Sequence, residues 1–267
     1  MLKDITIGQY YPADTPVHRL DPRAKILLVF FYIITIFVVR DYYPFALLAL
    51  YLLFVIKASK LPLSMLIRGL KPLRLIIIIT FVINLFFTPG ETIWSYGFLS
   101  IAREGIQQAV FMAIRLILLV LGTSLLTLTT SPIELTDGIE KLLSPFKAIG
   151  LPAHELAMMM TIALRFIPTL IDETDKIMKA QMARGADFES GRVLSRAKNL
   201  VPLLVPLFVN ALRRAEELAN AMESRCYRGG EGRTKLNELE FQKSDLFITL
   251  GNTLVFVCIC LTRFISL

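Results

Sequence analysis

The sequence predicts an all-α polytopic membrane protein of about five transmembrane helices, with a long helical segment in the cytoplasm. Three observations carry this. The 267 residues are 55% hydrophobic and only 19% charged, with a mean hydropathy of +0.61, more apolar side chain than a soluble core of that size can hide. Five uncharged apolar stretches recur along the chain. Between the fourth and the fifth lies a charged segment whose apolar residues repeat every three or four positions.

The stretches are Ile26–Val39, Tyr42–Ile56, Leu75–Thr88, Leu116–Thr130 and Leu246–Thr262. Each is shorter than the roughly 20 residues that span a bilayer core, so flanking residues must complete them. Ile106–Ile114 extends the fourth backward across Arg115. The first two cannot form one straight helix, because Ile26 to Ile56 would reach about 46 Å against a core of about 30 Å. Arg40-Asp41 and Pro44 mark the turn between them. Residues Met1 to Lys25 are polar, carry three prolines and lack a small-residue cleavage site, so the first stretch is expected to stay in the membrane as an anchor. The expected division is 1–130 for the tail and four spans, 131–245 for the cytoplasmic segment, and 246–267 for the last span.

Orientation follows from basic residues. Lys3, Arg19, Arg23, Lys25, Lys57, Lys60, Arg68, Lys71 and Arg74 lie on one side, and only Arg40, Arg103 and Arg263 on the other. The amino terminus is expected inside and the carboxy terminus outside. The net charge of +7 comes from these flanks, because Ser131–Asp245 holds 16 basic and 16 acidic residues. Nucleic acid is therefore not an expected partner, whereas lipid is.

Ser131-Pro132-Ile133-Glu134 reads as a capping box with proline at the first helical position, opening a short helix that ends at Ser144-Pro145. A long amphipathic helix, bent at Pro168, is expected from Ala153 to Arg184. A third runs from about Leu194 to Arg225, and its apolar stretch Leu200–Val209 is too short to cross a bilayer. That stretch reads as packed on the membrane face or on the second helix, with a sixth, kinked span as the weaker alternative. Arg228-Gly229-Gly230-Glu231-Gly232-Arg233 reads as a solvated linker.

No catalytic constellation emerges. The chain has no Gly-Lys dipeptide, hence no phosphate-cradling Gly-x-x-x-x-Gly-Lys-Ser/Thr loop. Cys226, Cys258 and Cys260 read as reduced thiols packed as small hydrophobes, and His18 and His154 have no acidic or thiol partner at ligand spacing. No metal site and no cofactor are expected. Asp172, Glu173 and Asp175 read as the wet face of the second helix. Asn84 and Arg115 lie within spans and are possible intramembrane functional residues. For Arg115, snorkelling or satisfying a carbonyl is an equal reading.

The informative feature is a pair of helix tips, Ala183-Arg184-Gly185 and Ser224-Arg225-Cys226. Ala153–Arg184 and Leu194–Arg225 are each 32 residues, about 48 Å of helix. An arginine there complements the helix dipole, worth about 0.3–1 kcal/mol. The functional reading is that small neighbours let each tip enter a groove, where the guanidinium meets a carboxylate or carbonyl.

Together with His18-Arg19-Leu20-Asp21-Pro22-Arg23-Ala24-Lys25 and Ala163-Leu164-Arg165-Phe166-Ile167-Pro168, these tips make the chain resemble the transmembrane (T) components of energy-coupling factor transporters, ABC-type importers of vitamins and metal ions. The resemblance in layout covers nearly the whole chain. It implies a non-catalytic subunit whose coupling helices dock in two ABC-type ATPase subunits, which bind the ATP. It also implies a membrane-embedded substrate-binding S component that takes up a vitamin; a dedicated cobalt or nickel importer is the alternative. The motif arginines map onto Arg184 and Arg225. The second tip has Ser224 and Cys226 in place of alanine and glycine, leaving open a helix that continues toward Gly229. The methionine stripe Met158, Met159, Met160, Met178 and Met182 reads first as helix-on-helix core and second as a surface adaptable to several S components. An autonomous secondary transporter fits less well, because the long segment splits the spans four to one. A lipid-headgroup enzyme would rest on Asp137 and Glu140, which look ordinary on a solvated helix.

Overall fold

The computed structural model describes residues 10–39, 41–96, 99–186, 188, 193–229, 239 and 241–265. Lys3, Arg40 and the Gly230–Arg233 part of the expected linker lie outside them. In chain order the elements are α1 (Pro16–Arg19), α2 (Pro22–Val38), α3 (Tyr42–Ser59), α4 (Leu63–Leu70), a 3-10 turn Lys71–Leu73, α5 (Arg74–Phe87), β1 (Thr92–Tyr96), β2 (Leu99–Ala102), α6 (Arg103–Thr129), α7 (Pro132–Leu143), a 3-10 turn Ser144–Ile149, α8 (Ala153–Ala183), α9 (Val193–Ser224) and α10 (Lys243–Ile265).

Local chemistry sets the boundaries. Asp21 accepts from the Arg23 amide at 2.8 Å and Pro22 fills the first position of α2. The capping box of α7 is reciprocal: the Glu134 amide donates to Ser131 Oγ at 3.2 Å, and the Ser131 amide to Glu134 Oε2 at 3.1 Å. The hairpin β1–β2, antiparallel with Trp94 opposite Ile101, was not anticipated. Its residues Thr92, Ile93, Trp94 and Tyr96 are β-branched or aromatic, but the run is too short to stand out beside helical stretches.

The chain divides into two compact units: Gly8–Gly138 with Leu239–Leu267, and Ile139–Glu238 with the first seven residues. The first division falls inside α7, because Gly138 sits against Pro22 and Ile26, where a Cβ would come within 3.0 Å of the proline ring.

In the first unit, α2, α3, α6 and α10 surround a core in which Ile36, Val39 and Leu48 are fully buried. Phe30, Phe37, Leu50, Leu53 and Phe54 point outward, as expected of helices solvated by acyl chains. Two glycines allow close approaches between helices. Gly105 brings α6 onto the Leu85 carbonyl of α5, and Gly122 lies under the Tyr32 ring, which a Cβ would enter. The Tyr32 hydroxyl donates to the Leu118 carbonyl at 2.9 Å and pins the ring there.

Among the described residues, five helices are long and apolar enough to cross a membrane: Tyr42–Ser59, Leu63–Phe87, Arg103–Thr129, Ala153–Ala183 and Lys243–Leu261. Their membership differs from the five stretches expected. At 17 residues α2 is shorter than any of these, at the lower end of spanning lengths. Helix α8 joins the set because His154, Glu155 and Arg165 are its only charged or titratable side chains before Asp172.

In the second unit, α8 and α9 form a pair. Each contains prolines yet remains a continuous helix, α8 through Pro168 and α9 through Pro202 and Pro206. Leu203 of α9 is buried, whereas Leu200, Val201, Leu204, Val205, Phe208, Val209 and Leu212 are exposed.

Candidate functional site

The two tips end in the same backbone. At the first, Arg184 is the C-cap and Gly185 takes the left-handed conformation at φ +87°. The Ala186 amide donates to the Gln181 carbonyl at 2.9 Å and the Gly185 amide to the Met182 carbonyl at 3.0 Å. At the second, Cys226 is left-handed at φ +56°. The Tyr227 amide donates to the Met222 carbonyl at 3.0 Å and the Cys226 amide to the Glu223 carbonyl at 2.8 Å. Both are Schellman ends, with an arginine as the last residue before the chain reverses. Helix α9 therefore stops at the arginine and does not run on toward Gly229. Ala183, Arg184, Gly185, Ser224, Arg225 and Cys226 are all exposed. The two Schellman bonds at each end pair two of the terminal carbonyls through the backbone alone.

The intramembrane candidates are internal. The Arg115 guanidinium donates to the Val39 carbonyl, the C-cap of α2, at 2.8 Å and lies 4.8 Å from the Phe111 ring centroid. It thus takes the carbonyl-satisfying reading, with a cation–π contact added. Asn84 returns its amide to the Thr80 carbonyl of its own helix at 2.8 Å.

The amino-terminal motif builds a polar knot at one end of the first unit. Lys25 is 5% exposed and its ammonium donates to the carbonyls of His18 at 2.8 Å and Thr129 at 2.9 Å. Thr129 closes α6, so the cation sits on the negative end of that helix. Arg23 donates to the Leu239 carbonyl at 3.0 Å, and the Tyr11 amide to the Leu128 carbonyl at 3.0 Å. His18 pairs with Thr15 Oγ1 at 2.6 Å and with the Tyr11 carbonyl at 3.1 Å. Burial, with Lys25 nearby, holds its imidazole below the usual range, so it stays neutral near pH 7.

Sequence reasoning missed three residues. Lys25 counted only as orientation evidence; its signal was its place seven residues after His18 in a proline-bounded motif. His154, read as lacking an acidic partner, pairs with Glu140 at 2.9 Å across 14 positions. Glu173, read as wet, turns toward α9: it accepts from Asn210 Nδ2 at 2.6 Å and pairs with Arg214 at 3.1 Å. Of the cysteines, Cys226 and Cys258 are exposed rather than packed, one at a tip and one on the outward side of α10. Among the described residues no group of three His, Cys, Asp or Glu side chains could hold a metal ion.

Comparison with known proteins places this arrangement. Residues 13–236 match the CbiQ family, described as cobalt transport protein. The energy-coupling factor transporter transmembrane protein EcfT of Thermosediminibacter oceani is 57% identical over 264 residues, covering 99% of this chain and all of that one. Its counterpart from Clostridium kluyveri is 57% identical, covering 97% of this chain and 96% of its own length; that of Bacillus subtilis is 51% identical, covering 94% and 95%. The chain belongs to the CbiQ family, as the transmembrane component of an energy-coupling factor transporter.

Proposed function

We propose that this chain is the non-catalytic coupling subunit of an ATP-driven importer, carrying motion from two ABC-type ATPase subunits to a membrane-embedded S component that takes up a vitamin. The observation that carries the reading is the pair of helix ends with the same Schellman hydrogen bonds, each presenting an exposed arginine at the point where the chain reverses. A single such end would do no more than complete a helix; two on paired long helices fit two separate acceptors. Each guanidinium meets a carboxylate or carbonyl in a groove of one ATPase, and the small residues beside it let the backbone approach. ATP-driven closure of the ATPases displaces the tips, and α8 and α9 transmit the displacement. The exposed apolar face of α9, from Leu200 to Leu212, supports contact with the S component or the bilayer. On this reading α8 and α9 lie on the cytoplasmic side, with the amino terminus inside and the carboxy terminus outside.

The description of the matching family favours a second cargo, cobalt or another transition-metal ion, on the same mechanics. The two readings separate by what co-purifies with the tagged chain from its native membrane. The coupling role itself is tested by Arg184→Glu and Arg225→Glu in the assembled transporter. Reversing one charge of a docked pair costs several kcal/mol, so the double variant is expected to lose the ATPase subunits on purification, or to hydrolyse ATP without transport. Wild-type assembly and transport in the double variant contradicts the reading. So does solute uptake by the chain alone in liposomes.

A further inference from the structure

Glu173 and Arg214 lie at matching places on the two long helices. Eleven residues separate Glu173 from Arg184 and eleven separate Arg214 from Arg225, about 16 Å of helix in each case. The contacts between α8 and α9 run in opposite chain order: Glu173 meets Asn210 and Arg214, whereas Gln181 donates to the Pro202 carbonyl at 3.3 Å. The helices are therefore antiparallel where they touch, and the two tips extend from the ion pair in opposite directions. Fully extended, that spacing sets the tips about 33 Å apart. The Glu173 side chain is 19% exposed and in contact with α9, whereas its neighbour Asp172 is exposed. One carboxylate oxygen accepts from the Asn210 amide, and the other, buried and without a hydrogen bond, lies 3.1 Å from the Arg214 guanidinium as an ion pair.

We infer that the Glu173–Asn210–Arg214 contact is the fulcrum of the helix pair, a positioning cluster midway between the tips that makes displacement of one tip move the other. This deepens the proposed coupling role and rests on it. With equal arms, a push on one tip is returned with about the same amplitude at the other. Without the lock, the two helices slide past one another and hydrolysis at one ATPase is not matched by motion at its partner.

The test is a charge swap in the assembled transporter, reading transport per ATP hydrolysed for Glu173→Arg, Arg214→Glu and the double variant. Each single change is expected to lower that ratio at least fivefold while the ATPase subunits still co-purify, and the double variant to return it to within twofold of wild type. A parallel measurement uses spin labels at Lys179→Cys and Asn220→Cys in a cysteine-free background of the full chain in nanodiscs. The inter-label distance distribution should broaden in each single variant and narrow again in the swap. Unchanged ratios and distributions in the single variants overturn the fulcrum. Failure of the swap to restore the distance distribution overturns it too, since mere loss of a charge is not cured by inverting the pair. The label distances are read without the ATPases, so a lock that holds them while the tips bind no ATPase would sink the docking reading alone.

Discussion

The two units of the chain solve opposite problems with similar residues. In the first, polar and charged side chains turn inward: Lys25, Asp21, Thr129 and Asp245 are buried, and the outward surface is apolar. In the second, the charged side chains flank an exposed apolar face that runs from Leu200 to Leu212, and Ala153, Ala157 and Leu203 are its buried hydrophobics among the described residues. The second unit leaves an apolar face and two arginine tips exposed, as the proposed transmitting role requires.

Breaking the buried knot should have the largest effect. Lys25→Ala removes the donor that serves two carbonyls, leaving buried acceptors unpaired at the end of α6. A cost of about 3 kcal/mol is expected, read as a lower unfolding temperature of the purified chain in detergent. A temperature equal to wild type would mean that water reaches those carbonyls. The exposed face sharpens the contrast from the other side. Leu204→Ser with Phe208→Ser should shift stability by no more than about 0.5 kcal/mol per site, while lowering co-purification of the membrane partner severalfold. A large loss of stability would show that this face packs within the chain.

The smallest effect separates the two tips from each other. They share one backbone, yet the left-handed residue is glycine at one and cysteine at the other. Cys226→Gly should stabilise the end of α9 by about 0.5–1 kcal/mol, whereas Gly185→Ala should destabilise the end of α8 by about 1 kcal/mol. Amide exchange at Tyr227 and Ala186, the last donors of the two Schellman ends, reports each change. Equal signs at the two tips would contradict the matched geometry.

Much of this architecture is legible in the sequence because its signals are local. The capping box at Ser131 with its proline start at Pro132, and the apolar stretches, each depend on neighbours within a few positions. The tips are legible for the same reason, since an arginine between small residues is a short pattern. What stayed hidden depends on residues far apart in the chain. Lys25 meets Thr129 across 104 positions, and Glu173 meets Asn210 across 37. Nothing in a helical repeat distinguishes an acid turned toward a partner helix from one turned toward water. The end of α9 was ambiguous for a further reason: cysteine adopts a left-handed conformation rarely, so composition alone did not mark Cys226 as a stop.

The central claim is that Arg184 and Arg225 each enter an ATPase subunit, and the most direct measurement is photocrosslinking from the residues beside them. A photoreactive side chain at Ala183 or Ser224, in the assembled transporter in its native membrane, is predicted to yield adducts with the two ATPase chains. Adducts with lipid alone, or with proteins of the outer surface, would contradict the account.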